Sequence, residues 1–156
     1  MIRPILLALG VPGALLVGVA ECRATPPAGE RSDSMRVEIV VPRSVAAGRP
    51  VPVTLRISNT SDRPIDLYLQ GRPIAFDLTV QRGNEVVWRR LEGATVSAIL
   101  QIRTLAPGES LDLKEAWKQK NNAGRRVDPG DYTVSGSVLT DREPLRTAPA
   151  DLRISG

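Results

Sequence analysis

Histidine is absent from the 156 residues, and cysteine occurs once, at Cys22. The first absence excludes Ser-His-Asp and Cys-His catalysis and removes the commonest protein ligand for zinc or copper. The second excludes a disulfide within the chain, so the fold must stand on its apolar core. Aromatics are scarce, with two Trp, two Tyr and one Phe, too few for a platform that stacks bases. Neither GxGxxG nor GxxxxGK[ST] occurs, so no phosphate-cradling loop is expected. No segment carries an apolar 3.6-residue period over ten or more residues, and amphipathic helices are not expected. Carboxylates are the remaining catalytic candidates. Asp128 and Asp131 stand three apart, a spacing open to an acid/base pair or a calcium site. Asp is a favoured turn residue, however, and here Asp128 opens a Pro-Gly turn that Asp131 leaves. Asp62, Asp66 and Asp77 read as turn or solvent-facing residues. The expectation is a protein that is not an enzyme and holds no cofactor or metal.

The formal net charge is +4, with eighteen Arg against three Lys. Most cations are scattered singly between acidic residues. Only Arg89-Arg90 and the set Lys118, Lys120, Arg125 and Arg126 cluster, and no nucleic-acid partner is expected.

The N-terminus carries the one long apolar run. Arg3 is a minimal positive region, and Pro4 to Ala20 is uncharged and rich in Leu, Val, Ala and Gly. Pro12 and Gly13 interrupt it, which favours a signal peptide over residues 1–22 rather than a stable membrane helix. Cys22 stands where a bacterial lipoprotein carries its acylated cysteine. Val19 and Ala20 fit such a signal, whereas Glu21 does not. Lipidation at Cys22, cleavage after Ala20 or Ala24, and an uncleaved anchor all remain open, and membrane contact is expected only through this segment or a Cys22 lipid. Residues 23–34, with Pro26, Pro27 and Gly29, read as a disordered linker, leaving 35–156 as the folded domain. The localisation that follows is export: periplasmic, cell-surface or membrane-anchored.

From residue 35 onward the hydropathy alternates with period two, the pattern of strands with one buried face. Val37, Ile39 and Val41 form one apolar row, and Val51, Val53, Leu55 and Ile57 a second. Asn59 to Asp62 is a turn cluster, after which Ile65, Leu67 and Leu69 resume. Phe76, Leu78 and Val80 oppose Asp77, Thr79 and Gln81. Gly83-Asn84 is a hairpin signal that puts Val86 and Trp88 on one face. Ala98 to Leu105 is β-compatible with no uniformly apolar face, so its register stays open. Leu111, Leu113 and Trp117 share a parity that also turns Glu115 inward, which a β-bulge or an edge position would resolve. Tyr132, Val134, Gly136 and Val138 follow, then Leu152 and Ile154. Turn signals every eight to twelve residues suit a sandwich. The expectation is all-β, an immunoglobulin-like antiparallel β-sandwich of eight or nine strands, with Phe76, Trp88, Trp117 and Tyr132 in or near the core.

The turns carry the clearest local chemistry. Pro107-Gly108 and Pro129-Gly130 each suit the central positions of a type II turn, where proline presets φ and glycine accepts φ > 0. Asp128-Pro-Gly-Asp-Tyr132-Thr-Val134 has the form of a tyrosine corner, in which the Tyr132 hydroxyl bonds back to the upstream backbone.

An ordered set of these signals resembles the intracellular proteinase inhibitor (BsuPI) domain family. It comprises Asn59-Thr-Ser-Asp62-Arg-Pro-Ile65, Phe76-Asp-Leu-Thr-Val80, Gly83 to Trp88 with Arg89, and Gln101. It continues with Thr104-Leu-Ala-Pro-Gly-Glu-Ser110, Trp117, Gly124, Val127, Pro129 to Val134 and Gly136. The resemblance implies a compact immunoglobulin-like sandwich and a serine protease as partner. Two departures accompany it: the export signal, and Ile99-Leu100 where an aromatic would precede Gln101. The functional expectation is a non-catalytic extracytoplasmic protein-binding module, perceived through the resemblance as a proteinase inhibitor. The alternative is a structural or accessory envelope lipoprotein without inhibitory activity. The connection holding Lys118, Lys120, Arg125 and Arg126 is the candidate binding loop, its cations suited to an S1 pocket that takes Arg or Lys. Its Asn121-Asn-Ala-Gly124 centre reads as a flexible hairpin loop rather than a rigid one. Oligomeric state is left open.

Overall fold

The computed structural model describes residues 34–156. The expected signal peptide (1–22), all but the last residue of the linker, and Cys22 lie outside the described residues. Among the described residues no helix is long and apolar enough to cross a membrane.

Eleven strands form among the described residues: β1 Met35–Val40, β2 Ser44–Ala46, β3 Val51–Asn59, β4 Ile65–Gln70, β5 Phe76–Arg82, β6 Glu85–Arg89, β7 Leu100–Leu105, β8 Ser110–Trp117, β9 Gly130–Val138, β10 Leu145–Arg146 and β11 Ala150–Ser155. Nine of them fall on the segments read as strands or β-compatible in the sequence; the two additions, β2 and β10, are three and two residues long. One sheet runs β1-β3-β8 and the other β2-β11-β9-β5-β6, with β10 also on β9. A two-stranded ribbon, β4-β7, hangs from the second sheet through a bridge between Leu69 and Thr140. All pairings are antiparallel except β2 with β11, which is parallel.

The alternation buries one face of each long strand. Val51, Val53, Leu55 and Ile57 of β3 meet Phe76, Leu78 and Val80 of β5, Val134 and Val138 of β9, and Leu152 and Ile154 of β11 in one core. Gly136 shows how close the sheets lie. A Cβ there would stand 2.7 Å from Leu55 Cδ1 and 3.0 Å from Ile39 Cδ1, both from the opposite sheet. The missing side chain at the middle of β9 is what admits Leu55 against the backbone.

One open sequence reading is resolved, in favour of an edge position at Glu115, and two are corrected. No bulge lies at Glu115: the β3–β8 register is unbroken from Val51↔Trp117 to Ser58↔Ser110. Glu115 is tolerated because β8 is an edge strand and Arg90 Nε reaches its carboxylate at 2.8 Å. The bulge sits instead between Val80 and Gln81, where β5 pairs β6. It breaks the alternation there, so Val86 is 47% exposed while Val87 and Trp88 pack partly buried against the core. Asp77, read as solvent-facing, is buried. Its Oδ2 takes Arg89 Nη2 at 2.7 Å and its Oδ1 accepts Leu91 N–H at 3.0 Å, tying β5 to the chain leaving β6.

The turns are bonded largely as their chemistry dictates. Glu109 N–H donates to Ala106 C=O at 2.9 Å with Gly108 at φ +75, as the type II reading of Pro107-Gly108 requires. Pro129-Gly130 differs. Gly130 has φ +150 and already pairs with Ile154 as the first residue of β9, whereas a type II turn needs about +80 there. The glycine is still apt, because a Cβ would lie 3.1 Å from Arg82 Nη2. Asn59 is buried and closes the turn after β3, accepting Ser61 N–H at 2.9 Å and donating to Leu105 C=O at 2.9 Å.

Candidate protein-binding loop

The aromatic residues converge at the end of the sandwich from which residues 118–129 project. Trp117 lies at the end of β8, and its ring centroid is 6.2 Å from Trp88 and 6.0 Å from Tyr132, edge-on to the latter. Such tilted and T-shaped contacts add to the apolar burial of large rings. Tyr132 Oη donates to Asp128 C=O at 2.5 Å, so the tyrosine corner is formed. Burial raises the pKa of this hydroxyl, and the nearby Asp128 adds to the rise against the opposing pull of Arg82.

The β8–β9 connection is anchored on that base at several points. Trp117 Nε1–H donates to Lys120 C=O at 2.9 Å. Gln119 is buried with φ +55. Its Nε2 donates to Ala46 C=O at 2.9 Å and Arg49 C=O at 2.7 Å, while its Oε1 accepts Gly48 N–H at 2.8 Å. Its own carbonyl accepts Val127 N–H at 3.0 Å. Further out, Lys120 and Arg126 face one another across a bridge. Asn121 accepts Gly124 N–H through its carbonyl and Arg125 N–H through Oδ1, each at 2.9 Å. Gly124 has φ +77, the left-handed conformation that glycine supplies at the end of the Asn121–Gly124 turn. At the tip, Asn122 Oδ1 accepts Arg89 N–H and Asn122 Nδ2 donates to Arg89 C=O, both at 2.8 Å. That amide imitates one more rung of sheet on the edge strand β6. The Asn-Asn-Ala-Gly centre, read from composition as flexible, is thus bonded internally and, through Asn122, to Arg89 of β6.

Lys118, Lys120, Arg125 and Arg126 are all exposed on this scaffold. Among the described residues none of the four has a salt-bridge partner within 4 Å. The Arg126 guanidinium lies along the β2–β3 turn, 2.9 Å from where a Cβ on Gly48 would stand. Asp128 and Asp131 each face a different arginine: the Asp128 carboxylate is 3.9 Å from Arg82, and Asp131 is 3.1 Å from Arg153. A surface depression of about 750 Å³ holds Asp131 and Asp151 beside Arg43 and Arg153. Among the described residues no group of three or more His, Cys, Asp or Glu could hold a metal ion.

Two elements of this site were hidden in the sequence. Gln119 looks like any polar loop residue, and nothing short of the β2–β3 turn reveals its partners. Asn122 reads as turn chemistry alone. Gln101, part of the family resemblance, proves structural: its Nε2 donates to Gly71 C=O and fixes the turn after β4.

The family model described as intracellular proteinase inhibitor (BsuPI) matches residues 32–143. No curated protein matches the chain in sequence. Among solved structures, a β-glucosidase from Listeria innocua in complex with glucose is similar at 14% identity and TM-score 0.43, covering 78% of this chain and 16% of that one. An alkylpurine DNA glycosylase from Pseudomonas fluorescens has 13% identity and TM-score 0.41 over 79% of this chain and 31% of the other. A CARDB domain from Pyrococcus furiosus in complex with di-metal ions has 13% identity and TM-score 0.40, covering 78% of this chain and 87% of that domain. The chain spans a small fraction of the β-glucosidases' length, and likenesses this faint carry nothing about binding or catalysis. The family finding corrects one expectation. Export was inferred from the apolar N-terminal run alone, whereas the matching family is that of an intracellular inhibitor.

Proposed function

This chain belongs to the intracellular proteinase inhibitor (BsuPI) family, and from that premise we propose that it is a non-catalytic inhibitor that docks on a protease through the loop Lys118–Arg126. The observation that carries the reading is the bonding of that loop. A loop that inhibits must lose little entropy on docking, and this one is fixed at Gln119, Lys120, Asn122 and Val127 before any partner arrives. Its charge supports the same reading. Lys120 and Arg126 stand directly opposite each other, and like charges so placed destabilise an isolated hairpin. An acidic partner surface relieves that repulsion. The partner this implies is a serine protease whose cleft or rim is acidic, met inside the cell as the family's description says.

The test is a titration of the full chain against one trypsin-like and one subtilisin-like protease, following hydrolysis of a small chromogenic substrate. The expected result is stoichiometric loss of activity for one of them. The triple variant Lys120→Ala, Arg125→Ala, Arg126→Ala should weaken inhibition by roughly tenfold or more, since each rim charge mainly affects association. Undiminished activity at micromolar inhibitor sinks the inhibitor reading. Full inhibition by the triple variant keeps that reading and moves the docking surface elsewhere.

A further inference from the structure

From a sheet edge left undefended among the described residues we infer that β7 is a self-pairing surface, through which two copies of this chain join antiparallel about a two-fold axis at Ile102. The inference is independent of the inhibitory loop. Gly71 N–H donates to Ile99 C=O at 2.8 Å, and the register runs Leu69↔Gln101, Tyr68↔Ile102 and Gln70↔Leu100. Bonds to β4 therefore fall at the odd-numbered residues of β7, since antiparallel pairs alternate. The N–H and C=O groups of Leu100, Ile102 and Thr104 point away from β4, and among the described residues no further strand lies beyond them.

Among the described residues the far side of β4 is bonded to Leu139 and Asp141, and the outer strands of the two larger sheets are protected in the usual ways. β1 carries Arg36 and Glu38, and β2 is three residues long. β6 is bulged and has Asn122 on its Arg89 backbone. β8 carries Lys114 and the Glu115–Arg90 pair. β7 instead presents Ile102 at 65% exposure and Leu100 at 50%, beside Ile99 at 50% and Tyr68 at 44%. These four side chains leave on the order of 400 Å² of apolar surface per copy, so that pairing buries at most about 800 Å² of it plus the backbone edge, the weak end of specific association.

The edge is complementary to itself. Centred on Ile102, antiparallel pairing sets Leu100 against Thr104 of the second copy and Ile102 against Ile102, bringing all three outward-facing residues into bonding register. One face then carries an unbroken apolar row, Tyr68–Ile102–Ile102–Tyr68, across four strands. On the other face Arg103 meets Gln101 of the second copy, so no like charges are directly opposed. The interface is isologous and closes as a dimer with no further edge of this kind exposed.

Sedimentation velocity on the full chain between about 5 and 500 µM, the range of weak association, should show a dimer fraction that rises with concentration. Ile102→Pro removes the outward-pointing N–H without touching the β4 ladder, a substitution that edge strands accept. Ile102→Lys opposes two charges at the axis. Each should shift the midpoint upward by roughly tenfold or more while leaving the melting temperature within a few degrees of wild type. A wild type that stays monomeric throughout overturns the inference, and so does a dimer unchanged in both folded variants. Should a variant fail to fold, amide exchange in the wild type decides. Slower exchange at Leu100, Ile102 and Thr104 at high concentration supports the pairing, and concentration-independent exchange there overturns it.

Discussion

Gln119 holds Gly48: the Oε1 of the one accepts the N–H of the other at 2.8 Å, across 71 residues of sequence. With its two bonds to Ala46 and Arg49, the Gln119 amide welds the β8–β9 connection to the β2–β3 turn. Leucine is similar in size and can make none of these bonds. Gln119→Leu strips the Gly48 N–H and the Arg49 C=O of this partner, while Ala46 C=O keeps the Arg49 N–H, and each lost partner costs about 1–3 kcal/mol where buried. The expected loss is roughly 2–4 kcal/mol in urea unfolding, accompanied by weaker protease inhibition as the loop loosens. A loss under about 0.5 kcal/mol, the scale of a neutral surface change, contradicts the anchor.

The two tryptophans should separate sharply. Trp117 is fully buried and donates its N–H, so Trp117→Ala should cost about 3–5 kcal/mol. Trp88 is only half-buried behind the β6 bulge, and Trp88→Ala should cost about half as much. Equal losses by chemical denaturation would place Trp88 in the core after all.

Gly136→Ala tests how tightly the sheets are pressed together. The new methyl meets Leu55, Ile39 and Leu78 at 2.7, 3.0 and 3.2 Å, and overpacking of this kind costs about 1–3 kcal/mol. A thermal melt unchanged from wild type would mean that the sheets part freely at β9.

The Arg90–Glu115 pair gives an acid-side signature. Burial alone pushes the Glu115 pKa up, but the Ala116 N–H and the Arg90 guanidinium outweigh it, and the folded value lies below the usual 4.5. A depressed folded value stabilises the protein above the unfolded pKa and is lost as pH falls through the folded one. Asp112 behaves likewise, held below 3.8 by its bond to Arg56. Stability should therefore be flat near pH 6–7 and decline below about pH 4.5, and Arg90→Gln should shallow that decline. An identical acid limb in the variant would remove Glu115 from the account.

Where a strand has one wet and one dry face, period two reveals it, and β3, β5, β9 and β11 were legible for that reason. The failures share a cause. Asp77 sits at a polar position of an alternating strand and looked wet, yet Arg89 and Leu91 close over it. One extra residue at the Val80/Gln81 step turned Val86 outward. β7 was unreadable because its apolar residues lie on the exposed face while Gln101 and Arg103 occupy the other. The candidate site was legible as a cluster of cations and turn residues. Its rigidity was not, because it depends on partners 33 residues away at Arg89 and 71 away at Gly48.

The Asn122 amide grips Arg89 from the tip of the loop, while Lys120 and Val127 are fastened at its two feet. A protease that severed the backbone near Ala123 would find both stumps still tethered, one to β6 and the Trp117 indole, the other to Gln119. The fragments could not diffuse apart, and the cut ends would stay within reach of each other and of the enzyme. If a protease docks here as proposed, cleavage alone would therefore not free it from this hairpin.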